Sequence, residues 1–206
     1  MMMTGPRPWF NGPVPVVAIV LAAGEGRRMG GPKALLPFGS GTFLSHACRL
    51  YDGGGVAAVV AVLGAEADRV RRESPLPRGA TVVVNSAWAG GMLSSVWRGL
   101  DAAEELGADA VLLHPVDHPL VARPTIDRVL DALRAGAVIA VPTWDGRRGH
   151  PGGFGRAAFG ELRSAPADRG ARAVLAADTA RVVLVPGDPG CVAGIDTPAD
   201  YARLLG

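Results

Sequence analysis

Six short runs of apolar residues punctuate the chain, at positions 16–21, 56–63, 80–84, 110–113, 137–141 and 181–185. Within each run the apolar positions are mostly consecutive rather than alternating with polar ones. That is the pattern of strands covered on both faces, as in a parallel sheet. Most stretches between the runs are long enough for a helix, and helices are expected over 41–51, 66–73, 92–106, 124–135, 171–176 and 198–205. The alternation predicts an α/β fold: one domain with a mixed, mostly parallel sheet and helices on both faces. Thr197 ahead of Pro198, with Asp200 three residues on, predicts an N-cap with proline at the first helical position. Residues 143–167 break the rhythm with glycines that include Gly146, Gly149, Gly152, Gly153 and Gly155. This segment is expected to be an insertion over the sheet rather than a second domain.

Composition narrows the field. The longest uncharged apolar runs, 16–23 and 56–63, are eight residues each, against the ~20 that a membrane-spanning helix needs. A hydrophobic content of 49% with 19% charged residues excludes disorder for most of the length. Net charge is only +2 and the arginines are scattered, so neither nucleic acid nor membrane is an expected partner. Cys48 and Cys191 are too few for a disulfide framework, and residues 1–14 carry Pro and Gly where a secretory leader would be apolar. A cytoplasmic protein is therefore expected, with a flexible arm over 1–14 and the folded domain over 15–206. Of 21 basic residues twenty are arginine, and Lys33 is the only lysine. Its survival in such a chain hints that an ammonium is wanted there.

In open α/β sheets ligands sit beyond the carboxyl ends of the strands, so the residues after each apolar run are the candidates for chemistry. After the first run come Gly24, Gly26 and Gly30. A dinucleotide fingerprint would need a helix to start among these glycines. Pro32 and Pro37 fall in that helix's path, each at a cost of about 3 kcal/mol or more. A Walker loop fails too, because Lys33 follows Pro32 and precedes Ala34. The remaining expectation is an extended glycine-rich loop whose amides, with Arg27, Arg28 and Lys33, cradle a triphosphate.

The stretch LAAGEGRRMGGPKALLP at 21–37 resembles the signature of the nucleotidyltransferases that include molybdopterin cytidylyltransferase and molybdopterin guanylyltransferase. Further along, NSAWAGGMLSSVWRGL (85–100), VDHPLV (116–121), GRRGHPGGF (146–154) and GIDTPADY (194–201) are similar to that family's later motifs, in order. The chain departs from the usual pattern at His118, Gly152 and Gly194, where the family has Gln or Met, Val, and Asp. The resemblance implies a nucleotide-diphospho-sugar transferase-like, Rossmann-like fold and transfer of a nucleoside monophosphate to a phosphorylated acceptor, with release of pyrophosphate. Molybdopterin is the first candidate acceptor, and the resemblance implies contact with a molybdoenzyme or its chaperone on the same ground. A sugar or polyol phosphate acceptor is the alternative, and a non-catalytic nucleotide-binding protein a further one. The double alanine Ala22-Ala23 goes with the cytidylyl branch, so CTP is expected over GTP.

Such transfer works by positioning and charge neutralisation, and Mg2+ needs only one or two carboxylates besides substrate phosphates. Asp117 and Asp196 are the expected metal ligands, and Lys33, Arg28 and Asp117 the catalytic set. For Asp196 a helix-capping role is the competing expectation. Leu21, Ala22, Ala23, Gly24, Gly26, Arg28, Lys33, Asn85, Gly91, Ser94 and Ser95 are expected at the nucleotide, and His150, Arg148 and Asp168 at the acceptor. Arg147 and Arg172 are weaker candidates there, and Trp88 and Trp97 are expected to be packing residues. His114, His118 and Asp117 as a zinc site is the outlying alternative.

Overall fold

The computed structural model describes residues 14–206, so nearly all of the expected N-terminal arm lies outside the described residues. The elements run β1 (Val16–Ala22), β2 (Pro37–Phe38), β3 (Gly41–Thr42), α1 (Phe43–Arg49), β4 (Ala58–Leu63), α2 (Ala67–Glu73), β5 (Ala80–Val84), α3 (Met92–Glu105) and β6 (Ala110–Pro115). They continue with α4 (Arg123–Arg134), β7 (Ile139–Trp144), β8 (Arg147–Arg148), β9 (Gly152–Gly155), α5 (Phe159–Ser164), α6 (Ala171–Ala177), β10 (Val182–Pro186) and α7 (Pro198–Leu205). The sheet order is β10-β7-β9-β6-β1-β4-β5, with β8 paired to β7, while β2 and β3 form a separate small ribbon. The β6-β1-β4-β5 run and the β10-β7 pair are parallel, and β9 is antiparallel to both its neighbours.

Consecutive apolar residues build two cores because alternate side chains leave opposite faces of a strand. From β1, Val16, Ala18, Val20 and Ala22 enter one layer with Phe43, Leu44 and Cys48 of α1 and Ile126, Val129 and Leu133 of α4. Val17, Ile19 and Leu21 enter the other, with Leu93, Val96 and Leu100 of α3, Leu162 of α5 and Val174 of α6. All seven β1 residues are buried, so the central strand carries no solvated face.

Three expectations need correction. The helix foreseen over 41–51 starts at Phe43, because Thr42 is extended and forms a reciprocal cap with Ser45. The glycine-rich loop is not extended: it folds into two single 3-10 turns, Arg27–Met29 and Lys33–Leu35. Gly26 makes the first turn possible, with φ +66° and a position where a Cβ would lie 1.9 Å from the Gly31 carbonyl oxygen. The insertion does not merely lie over the sheet; β9 is one of its central strands. Its glycines follow from packing, since a Cβ on Gly153 would sit 2.8 Å from Val129 Cγ1 and 2.9 Å from Leu133 Cδ1.

Candidate active site

The carboxyl ends of neighbouring strands deliver the site. Val116, just past β6, donates from its backbone to the carbonyl of Leu21 in β1 (3.1 Å), and Ile195 donates to the carbonyl of Asp117 (2.8 Å). The loop after β1, the turn after β6 and the segment before α7 are thereby stitched together. At their junction Lys33 Nζ donates to Asp117 Oδ2 at 2.9 Å and to Asp196 Oδ1 at 2.6 Å. Arg28 Nη2 reaches Asp196 Oδ1 at 3.3 Å from a largely exposed position. The lysine and the two carboxylates are thus one cluster.

Burial by itself would raise the Asp117 carboxyl, but hydrogen bonds from His118 and Lys33 and the Lys33 charge outweigh it and hold the group well below the usual carboxylate range. Asp117 is therefore ionised at neutral pH and ready to face a cation. The cluster fits a hard divalent ion: two carboxylates converge on one ammonium-sized point, and Mg2+ or Mn2+ would complete its shell with water and phosphate oxygens. Among the described residues no group of three or more His, Cys, Asp or Glu is placed to hold a metal. Zinc is ruled out on geometry as well. His114 is fully buried, with Nδ1 bonded to the Tyr51 hydroxyl (2.7 Å) and Nε2 to the His118 carbonyl (3.2 Å). Both of its ring nitrogens are engaged within the protein.

Two clefts open along these loops. The smaller, about 440 Å³, is lined by Leu21, Ala23, Gly24, Gly91 and Ser95 together with Trp88 and Met92. Ala22 turns into the opposite core layer, leaving only its backbone for a ligand. Asn85 is buried and spends its amide on the loop: Nδ2 donates to Ser94 Oγ (2.8 Å) and Ser95 Oγ (3.0 Å), and Oδ1 accepts from Ala87 N (3.0 Å). Asn85 and Ser94 therefore shape the start of α3, while Gly91 and Ser95 face the cleft. Trp88 is a lining residue rather than core. Trp97 does pack, donating from Nε1 to the Leu162 carbonyl at 3.0 Å.

The larger cleft, about 580 Å³, is lined by His118, Arg147, Arg148, His150, Arg172, Gly194, Asp196 and Arg203 among others. Four guanidiniums against few carboxylates suit an anionic ligand. Burial pushes His150 down to about 3, so it is neutral there. Asp168 does not line this cleft; it is exposed in the turn between α5 and α6. Arg203 was not foreseen, because its approach depends on how α7 lies, which spacing alone does not encode. Asp196 borders the larger cleft, whereas Lys33 and Arg28 do not line the smaller one but belong to the same loop as Gly24, Glu25 and Arg27, which do. No helix among the described residues is long and apolar enough to cross a membrane.

Comparison with known proteins identifies the family. Residues 18–182 match the family model described as MobA-like NTP transferase domain. The chain is 39% identical over 143 residues to the nicotine blue oxidoreductase of Paenarthrobacter nicotinovorans, covering 66% of this chain and 69% of that one. It is 32% identical over 200 residues to a probable molybdenum cofactor guanylyltransferase of Mycobacterium avium, covering 92% and 94%. Among solved structures, Rv0371c from Mycobacterium tuberculosis H37Rv aligns with TM-score 0.81 at 32% identity, covering 94% of this chain and 99% of that one. The same protein in complex with manganese aligns with TM-score 0.78 at 31% identity, covering 93% and 98%.

Proposed function

Since the chain belongs to the MobA-like NTP transferase family and is a nucleotidyltransferase of that type, we propose that it transfers a nucleoside monophosphate from CTP, in preference to GTP, to molybdopterin. The observation that carries this reading is the cluster of Lys33, Asp117 and Asp196, with a cleft of four arginines beside Asp196 and a cleft with Trp88 along the loop that carries Lys33. In this reading the smaller cleft takes the nucleotide and the larger takes the phosphorylated acceptor. Asp117 and Asp196 would hold Mg2+ against the triphosphate, with Lys33 and Arg28 neutralising the charge that develops on the phosphates. The ion would supply further charge neutralisation at the α-phosphate. The manganese complex of the similar Rv0371c supports a divalent ion. The CTP preference rests on Ala22-Ala23, against the guanylyltransferase name of the Mycobacterium avium relative. His150 and Arg148 contact the acceptor; residues 15–206 act as one catalytic domain in the cytoplasm, with a molybdoenzyme or its chaperone as the receiving partner.

The test is pyrophosphate release with each of the four NTPs, with and without molybdopterin, in the presence of Mg2+. Release with CTP only when molybdopterin is present is the expected result. Release with a sugar phosphate instead would move the acceptor, and release with GTP alone would overturn the base assignment. The relative named an oxidoreductase favours a second reading, reduction by a nicotinamide dinucleotide. The 3-10 turns where a dinucleotide-binding helix would begin count against it. NADH and NADPH oxidation, followed in parallel, separates the two.

A further inference from the structure

Of the four histidines of the chain, His114 and His118 lie in the short segment 114–119 that carries Asp117, and His46 and His150 touch it from outside. His46 Nε2 lies 3.0 Å from the Pro119 carbonyl. His114 Nε2 meets the His118 carbonyl. His118 Nδ1 lies 3.0 Å from Asp117 Oδ1, and the His150 ring packs edge-on against the His118 ring, centroids 4.5 Å apart. An ionised carboxylate only accepts, so His118 Nδ1 carries the proton in its contact. Asp117 Oδ1 is thereby taken, and Oδ2 faces the Lys33 ammonium. Rotating the carboxylate about Cβ–Cγ would give up one partner or the other.

The far edge of the His118 ring looks onto Gly194, where an added methyl would stand 3.4 Å from Cε1 and 3.5 Å from Nε2. Among the described residues no third carboxylate stands at that point, and the cluster they form has two anionic ligands to offer. The orientation of each then matters more than it would in a fuller ligand set. We propose that His118 is a positioning residue for the metal-dependent step: by holding Oδ1 it presents Oδ2 of Asp117 to the cation, while His46, His114 and His150 fix the backbone and ring of the turn. The proposal rests on the nucleotidyl-transfer reading above. Hydrogen-bond partners of metal ligands commonly govern about 10–100-fold in metal affinity.

The experiment uses the full chain, Mn2+ as the probe, and α,β-methylene CTP or its GTP counterpart as uncleavable nucleotide, with free Mn2+ read by electron paramagnetic resonance. His118→Leu removes the donor, whereas His118→Asn places an amide N–H where Nδ1–H stands. His118→Leu should raise the Mn2+ dissociation constant about 10–100-fold, and His118→Asn should stay within about threefold of the parent. His118→Gln puts its amide at the Nε2 position, out of reach of Oδ1, and should behave like His118→Leu; it carries the comparison if the leucine variant folds poorly. Unchanged Mn2+ binding in the leucine and glutamine variants, or an asparagine variant as weak as they are, overturns the proposal. So does a change confined to the acceptor KM, which would make His118 only a wall of the larger cleft. Failure of the parent protein to bind Mn2+ with either analogue would instead overturn the metal assignment itself.

Discussion

Replacing Lys33 with methionine should move two measurements in opposite directions. Lys33 Nζ sits between Asp117 and Asp196, the two groups that would ligate the metal. In the nucleotide-free protein it is their counter-ion, so a divalent cation has to displace it. The Asp117 contact is mostly buried, whereas the Asp196 side chain is half exposed. Exposed pairs net about 0.2–1 kcal/mol, and breaking a buried pair costs about 3–5 kcal/mol. One contact of each kind, discounted for partial exposure, places the displacement penalty at about 1.5–3 kcal/mol, which corresponds to roughly ten- to a hundredfold in an equilibrium constant. Lys33→Met should accordingly tighten Mn2+ binding to the nucleotide-free protein by about that factor.

Turnover should fall at the same time. Once the triphosphate arrives it offers the ammonium new partners, and loss of one preorganised donor to a developing charge typically costs about 10²–10³ in kcat. Lys33→Arg should not restore it, because a planar guanidinium cannot occupy the point between the two carboxylates in the same way. Titrating Mn2+ without nucleotide and following pyrophosphate release supply both readouts. A misfolded variant loses both properties, so tighter metal with slower turnover cannot come from damage to the fold. Weaker or unchanged Mn2+ binding in Lys33→Met, or turnover within about threefold of the parent, would refute the reasoning.

Asp117→Asn should abolish activity, while Asp196→Asn should raise the Mg2+ midpoint and leave some turnover; an unchanged midpoint would remove Asp196 from the metal. Ala23→Gly should shift the CTP-to-GTP ratio of kcat/KM toward GTP by at most about 10–200-fold, the range of a methyl-scale contact, and equal kcat/KM for the two nucleotides in the parent would sink the base assignment. Gly26→Ala forces both a left-handed backbone and a clash with the Gly31 carbonyl, so it should destabilise the loop by more than about 1 kcal/mol and raise the KM for nucleotide; an unaltered KM would show that the turn is not needed. Burial holds His114 down to about 4 from 6.5, so between those values the unfolded chain binds more protons than the folded one. Stability should therefore fall by up to about 3 kcal/mol as pH drops from 6.5 to 4, with His150 adding in the same direction; a urea midpoint equal at pH 7 and pH 4.5 would contradict this.

The parallel strands were legible because Val, Ile and Leu in unbroken runs have few other places to go, and β1 is buried along its whole length. β9 was not legible. Its sequence is Gly-Gly-Phe-Gly, and the reason lies on another element, in Val129 and Leu133 of α4. The β7–β8 hairpin did carry a local signal that the sequence reading passed over: Asp145-Gly146, both at positive φ, is the dipeptide of a tight two-residue turn. The first loop departed from expectation for a related reason. Its prolines do exclude a long helix, but Gly26 and Gly30 at positive φ permit short turns that proline counting does not anticipate. Trp88 and Arg203 reach the clefts through the placement of a 3-10 turn and of α7, which no spacing rule encodes.

Asp196 is the instructive case, because the sequence allowed it two duties. Asp-Thr-Pro before a helix suits a cap as well as a metal ligand, and residue types alone do not decide between them. The structure divides the labour. Thr197 accepts from Asp200 N, and Asp200 Oδ2 accepts in return from Thr197 N at 2.8 Å and from Asp196 N at 3.1 Å. The exposed amides at the start of α7 are thus served by Thr197 and Asp200, and the Asp196 carboxylate is left with Lys33 and Arg28. The Ile195 amide, bonded to the Asp117 carbonyl, fixes how far that carboxylate stands from the β6 turn. A capping motif one residue away thereby frees a carboxylate for the site and sets its reach, which is why Asp196→Asn is expected to alter the metal requirement rather than the helix.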